Sequence, residues 1–475
     1  MAPPLHSLSC NYGQIVFPVR TSQPVRGEDA TASSIATEPT KFSAFELAVG
    51  AMPDPILSLR DEFLLDETTG KLNLAIGVYR TSEGDPYVLP SVKKAETLLL
   101  HEQASGLVNK EYLPADGMQA FCDESLRLLL GSTIDPALAA QRVVSAQSLS
   151  GTGGLHLAAC MLAQMLPGAT VYLPAPTWPI HPEIFTNVGL RVASYPYYDR
   201  SKCGLDEQAM LGALRSIPSG PCSVVLLHAC GHNPTGVDPS MEQWKTIAEV
   251  LHSRGLLPLV DSAYQGLVSG DLWKDGAGAR CLSQRCSEML ICQSYSKNMG
   301  LYAERAGVFS MVCADRAVAD RVRQQLKRTV RLTYSSPPHH GAAIAFRLLS
   351  VPELREQWGM ELRAMASRLR KMRYDLSAAL ERQRCPPPQG TSLTTWSHVL
   401  SQCGMFTYTG LTSSQVSELR DRYHIYIPVD GRIAMASLTT GACDKLACAI
   451  KDVVTSDETE EPPAKRQLSE SGDIL

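Results

Sequence analysis

The sequence predicts an α/β protein: a large, mainly parallel sheet flanked by helices, with a smaller α/β domain beside it. Three observations carry this. Short apolar or β-branched runs alternate with longer amphipathic segments through the middle of the chain. The runs are almost continuously hydrophobic, as strands covered on both faces are. Polar residues of catalytic type stand directly after the runs, where open α/β sheets bind their ligands.

In chain order the predicted strands are "TVYLP" at 170–174, "CSVVLLH" at 222–228, "LLPLVD" at 256–261, "EMLICQ" at 288–293 and "GVFSMV" at 307–312. Helical periodicity lies between several of them. "GLHLAACMLAQML" at 154–166 is one such segment, and "MEQWKTIAEVLHSR" at 241–254 is another, with Gly255 placed to cap it. No internal repeat is present.

The 475 residues are 44% hydrophobic and 19% charged, with a formal net charge of -4. That balance fits a globular enzyme and gives nucleic acid no basic surface to bind. Fourteen cysteines are scattered without the paired spacing of a zinc site, so they read as reduced thiols and no metal is expected. No run is long and apolar enough for a membrane span. The leader, 1–41, lacks a signal-peptide core and carries Glu28 and Asp29, unlike a transit peptide. It reads as disordered, as does the charged tail, 456–475. A cytoplasmic location is favoured over a mitochondrial one.

Asn233, Asp261, Ser294 and Lys297 follow three successive strands, so one crevice would receive all of them. A desolvated lysine amine forms a Schiff base with a carbonyl, including that of pyridoxal phosphate. Asp261 would pair with the protonated pyridine nitrogen of that cofactor. "SLSGTGGLH" at 148–156 leads Ser150, Gly151 and Thr152 into a helix start suited to phosphate, and Arg305 adds a permanent cation. Taken singly, Asp261 reads as a helix N-cap, Lys297 as a solvated lysine and Trp178 as core. Their common position at strand ends favours the joint reading.

"HACGHNPTGVDP", "DSAYQG", "QSYSKNMGLYAERAG", "KEYLP", "SGTGGL", "PTW" and "DGRI" together resemble the aspartate aminotransferases, fold type I pyridoxal-phosphate enzymes, and more closely their animal cytosolic branch. The resemblance covers about Phe42 to Val454. It implies a large cofactor domain over 87–363 and a small domain from 42–86 plus 364–455. It implies that Lys297 holds the cofactor and shuttles the proton, that Asp261 contacts the ring nitrogen with His181 behind it, and that Asn233 and Tyr264 bond the ring hydroxyl. Trp178 would cover the ring. Ser150, Gly151, Thr152, Ser294 and Arg305 would hold the phosphate, joined by Tyr112 of a second subunit in a homodimer. Arg432, with Asn233 and the Gly77 backbone, would clamp the α-carboxylate. Arg280 would reach across the dimer to the distal carboxylate of aspartate, glutamate or the matching keto acids.

The chain departs from the family pattern at His156, where arginine is usual, and in "RIAMASL", where Met435 replaces a smaller residue. The implied reaction is transamination between L-aspartate and 2-oxoglutarate. Racemisation or decarboxylation of aspartate is the alternative within enzymes, and an inactive paralogue acting as a binding protein is the alternative outside them.

Overall fold

The structure is a computed structural model that describes residues 54–456 together with Phe45, Ala48 and Gly50. The expected leader lies outside the described residues. So does the expected tail, apart from Ser456, which ends the helix Thr440–Ser456. The compact unit described here begins at Pro53.

Seven strands form its main sheet: β1 (Val143–Leu149), β2 (Thr170–Ala175), β3 (Arg191–Pro196), β4 (Ser223–His228), β5 (Leu257–Ser262), β6 (Met289–Ser294) and β7 (Ala306–Val312). Their spatial order is β1-β7-β6-β5-β4-β2-β3. Only β7 runs against its neighbours; the pairs from β6 to β3 are all parallel. All five predicted strands are present within a residue or two. β1 escaped prediction because Ser145 and Gln147 break its apolar pattern, although Ser145 bonds Ser310 and Gln147 bonds the Pro338 carbonyl. β3 escaped because it is a half-exposed edge strand.

Side chains of β4 alternate between two cores, and this alternation explains its unbroken hydrophobicity. Val224 and Leu226 face the helix Ser150–Met165 through Leu155 and Leu162. Val225 and Leu227 face the helix Met241–Arg254 through Trp244, Ile247 and Leu251. That second helix has its ends fixed by sequence: Ser240 and Gln243 form a reciprocal capping box, and Gly255 closes it at φ 64°. Such a box contributes about 1 kcal/mol.

A second group of short strands joins residues far apart in the chain. Leu72–Asn73 pairs in parallel with Ile425–Tyr426, and Phe406–Tyr408 pairs with Arg432–Ala434. Ala434 N–H donates to the Leu74 carbonyl, linking the two pairs. The Asp66 carboxylate ties the same segments, accepting from the Tyr426 hydroxyl and lying 2.8 Å from His424 Nδ1. The 31-residue helix Pro352–Arg382 runs unbroken past position 364, where the sequence places the start of a second segment.

Candidate active site

At the carboxyl ends of β5 and β6 a cleft of about 110 Å³ is lined by Ser150, Gly151, Thr152, Trp178, Asn233, Asp261, Tyr264, Ser294, Lys297 and Arg305. All ten are sequence-predicted site residues. Leu155, His228, Ala263 and Ser296 complete the lining.

Lys297 stands in the loop after β6, and its Nζ lies 5.5 Å from the Tyr302 ring centroid. Burial, reinforced by the positive charges of Arg305 and Arg432, lowers its pKa to about 8, with Asp261 acting in the opposite sense. A lysine so placed is about one tenth neutral and nucleophilic at pH 7, a few hundredfold more than a solvated lysine.

Asp261, near the end of β5, is pushed up by burial. The hydrogen bond from His181 and the nearby Lys297 charge outweigh that, so its pKa ends below the ordinary value. His181 Nε2 is 3.3 Å from Asp261 Oδ2, and Thr177 Oγ1 is 2.8 Å from His181 Nδ1. His228 stands on the other side. Burial lowers its pKa to about 3, and its Nδ1 accepts from the Asn233 N–H at 3.1 Å. The neutral ring must therefore carry its proton on Nε2. Donor atoms of His181, His228 and Asp261 lie within 4.8 Å of one another, close enough to share a metal ion. Without one, His181 serves as the hydrogen-bonding support of the buried carboxylate, and His228 anchors the Asn233 backbone.

At the opposite end, hydroxyls converge. Ser150 Oγ is 2.8 Å from Ser294 Oγ and 2.7 Å from Ser296 Oγ, and Arg305 Nη1 donates to Ser296 Oγ at 3.0 Å. Ser150 and Arg305 both adopt left-handed backbone, φ 60° and 51°, and the Ser150 N–H donates to the Arg305 carbonyl at 3.0 Å. Such strain gathers at ligand sites. Gly307 permits the arrangement, since a Cβ there would meet the Ser150 backbone at 2.6 Å. The helix starting at Ser150 points its free N–H groups into this hydroxyl cluster, an anion cradle.

Trp178 forms one wall, edge-on to His181 at 5.2 Å. Burial raises the Tyr264 pKa, and Asp261 adds to the effect, so the phenol stays protonated. Arg432 is 3% exposed; it donates to Asn233 Oδ1 at 3.1 Å and to the Ala75 carbonyl at 2.6 Å. Gly77 lies beside it, its Cα against the tip of the Phe406 ring. Tyr112 is 84% exposed, in a separate cleft with Tyr334 and Pro337.

Arg280, expected to serve a distal carboxylate across a dimer, is placed differently from the other site residues. It lies outside the cleft and is buried, its guanidinium donating to the carbonyls of Leu129 and Trp273 and stacking 3.6 Å from the Trp273 ring. To reach a neighbouring subunit it would have to give up these contacts. Sequence reasoning also missed Ser296, His228, Tyr302 and Phe406. Ser296 and Tyr302 flank Lys297 in the quoted segment, and His228 begins "HACGHNP", so proximity to a motif was a usable signal for those three. Phe406 carries none.

Residues 69–450 match the family model "Aminotransferase class I and II". The cytoplasmic aspartate aminotransferase of Oryza sativa subsp. japonica is 45% identical over 413 residues, 87% of this chain and 98% of that one. Among solved structures, the aspartate aminotransferase from Saccharomyces cerevisiae cytoplasm aligns with TM-score 0.82 at 38% identity, covering 87% of this chain and 99% of that one. The aromatic-amino-acid aminotransferase of Burkholderia pseudomallei, covalently bound to pyridoxal phosphate, aligns with TM-score 0.80 at 39% identity, covering 87% and 100%. With the cleft, the sheet and these likenesses in agreement, this chain belongs to the class I and II aminotransferases.

Proposed function

We propose that the protein is a pyridoxal-phosphate-dependent aspartate aminotransferase exchanging the amino group between L-aspartate and 2-oxoglutarate, with Lys297 as the residue that holds the cofactor. The observation that carries this is a buried lysine with a lowered pKa that shares one cleft with a buried carboxylate and an anion cradle. The donor set fits the cofactor at both ends: Asp261, kept ionised by His181, suits a pyridinium, and Arg305 with the Ser150, Ser294 and Ser296 hydroxyls suits a phosphate. When bound, pyridoxal phosphate supplies an electron sink for the charge left when the substrate Cα loses its proton.

The chain's own residues do the rest. Arg432 orients the α-carboxylate with the N–H groups left free after Asn233 and Ala75 are served. The Lys297 amine takes the Cα proton and returns it. Asn233 and Tyr264 hold the ring hydroxyl, and Trp178 walls the site from water. The residues 42–86 and 364–455 act as a small domain, supported by the strand pairs that tie 72–74 to 425–434; its closure brings Arg432 and Gly77 over the substrate.

Lys297 and Arg305 are committed to the cofactor, and Arg432 to the α-carboxylate common to all amino-acid substrates. The distal carboxylate needs a further cation, and the family resemblance implies a homodimer whose partner supplies it together with Tyr112. Among the described residues no helix is long and apolar enough to cross a membrane; the rice and yeast names favour the cytoplasm.

The test mixes cofactor-loaded protein with L-aspartate without keto acid and follows the visible spectrum. Conversion of the cofactor to its amine form supports transamination. An unchanged spectrum with D-aspartate or alanine accumulating replaces it with racemisation or decarboxylation, and reaction with phenylalanine but not aspartate moves the substrate to the aromatic class.

A further inference from the structure

The α-carboxylate arginine stands on a surface whose role nothing above explains. The Arg432 guanidinium carbon lies 4.2 Å from the centroid of the Phe406 ring. Both residues are almost fully buried, Phe406 at 2% and Arg432 at 3% exposure. The guanidinium bonds only to uncharged oxygens, and its Nε finds no partner among the described residues. Asp430 offsets the charge from a distance while accepting only from the Arg432 backbone N–H, so the Phe406 face is what the guanidinium itself rests on.

The same ring meets two more parts of the site. A Cβ added at Gly77 would lie 2.6 Å from the Phe406 Cζ, so the ring tip rests on the Gly77 backbone. The Tyr264 ring meets it edge-on at 5.8 Å. Phe406 is itself fixed from behind: its carbonyl accepts from Arg373 Nη2 at 2.6 Å. Arg373 is 2% exposed, spends that donor on a backbone oxygen, and leaves its Nε unpaired. A charge buried at such cost is retained for what it holds.

We propose that Phe406 is a positioning residue for Arg432, its ring face fixing the guanidinium plane so that the free N–H groups meet the substrate α-carboxylate. This rests on the Arg432 role given above. A flat cation on a flat ring keeps one orientation, whereas on an aliphatic floor it would tilt, and carboxylate binding would suffer before chemistry at Cα did.

The experiment uses the cofactor-loaded enzyme and its Phe406→Leu variant. KM for aspartate rises about tenfold while kcat stays within about threefold, and the visible spectrum and cofactor affinity match the parent. Because the leucine change could impair folding, position 406 is also filled with di- and trifluorophenylalanine, which keep the shape and drain the ring face of negative charge; KM then rises stepwise with fluorine content. An unchanged KM in these proteins, or kcat and cofactor affinity falling in step with KM, overturns the proposal. Every amino acid carries an α-carboxylate, so if aspartate proves not to be the substrate the same comparison with the amino acid that reacts still decides the role of Phe406.

Discussion

The two ends of the cleft are built differently. The cofactor end is assembled from residues at strand ends of one sheet, and its polar groups already satisfy one another: Ser150 with Ser294 and Ser296, Ser296 with Arg305, Asp261 with His181. The carboxylate end is assembled from residues 75, 233, 406 and 432, which short strands bring together. There a buried cation waits with donors to spare. The first end is a rigid seat whose cost is met within the fold; the second is completed only by an anion. Substitutions at the two ends should therefore fail in different ways.

The largest effect belongs to Lys297. In Lys297→Met the cofactor end keeps its other contacts but has no amine to move the Cα proton, so turnover falls by more than about ten-thousandfold while cofactor still binds. Residual activity within a hundredfold of the parent would move the proton carrier elsewhere. Arg432→Met comes next. Losing the partner of a desolvated carboxylate lowers kcat/KM by about a thousandfold, and the visible spectrum of the loaded protein stays that of the parent. If the spectrum changed as much as the kinetics, the two ends would not be independent.

Lys297 also sets how the cofactor-free chain responds to pH. The lysine titrates near 10.5 when unfolded and near 8 in the fold, chiefly because of burial. Between those values the unfolded chain keeps a proton that the folded chain has released, so stability rises with pH across this window, and the full penalty applies below pH 8. Cofactor-free Lys297→Met is accordingly more stable than the parent at pH 7, by about 3 kcal/mol in urea unfolding, and the gain disappears above pH 10.5. A variant less stable than the parent at pH 7 would show that the ammonium is well compensated in the fold.

The same contrast explains what could be read from the residues alone. Strands β2 and β4 to β7 were legible because burial on both faces leaves an unbroken apolar run, and the groups that follow them inherit their places from the sheet. Ser150, Asp261 and Lys297 could be assigned to one cleft on that basis. Nothing comparable marks Phe406, which lies on a three-residue strand and earns its place by what crosses it in space. Leu72–Asn73 and Ile425–Tyr426 are two residues each, too short for periodicity. The contacts of Arg280 were hidden for a related reason: a surface arginine and an arginine locked onto carbonyls look alike until the chain is folded.

Arg280 gives the smallest effect and the cleanest separation. It lies in neither end of the cleft, yet it closes a local structure by serving the Leu129 and Trp273 carbonyls and covering the Trp273 ring. Arg280→Met keeps the bulk and removes two hydrogen bonds and a cation–π contact, a loss of about 2 kcal/mol in stability. The ratio of kcat/KM for aspartate to that for alanine stays within about twofold of the parent if the guanidinium keeps the Leu129 and Trp273 carbonyls, outside the cleft lining. A collapse of that ratio with stability unchanged would mean the side chain leaves its carbonyls on assembly and serves a neighbouring cleft. The stability loss and the selectivity ratio thus report on two mutually exclusive positions of one guanidinium, since the donors that hold the Leu129 and Trp273 carbonyls are the ones a distal carboxylate would need.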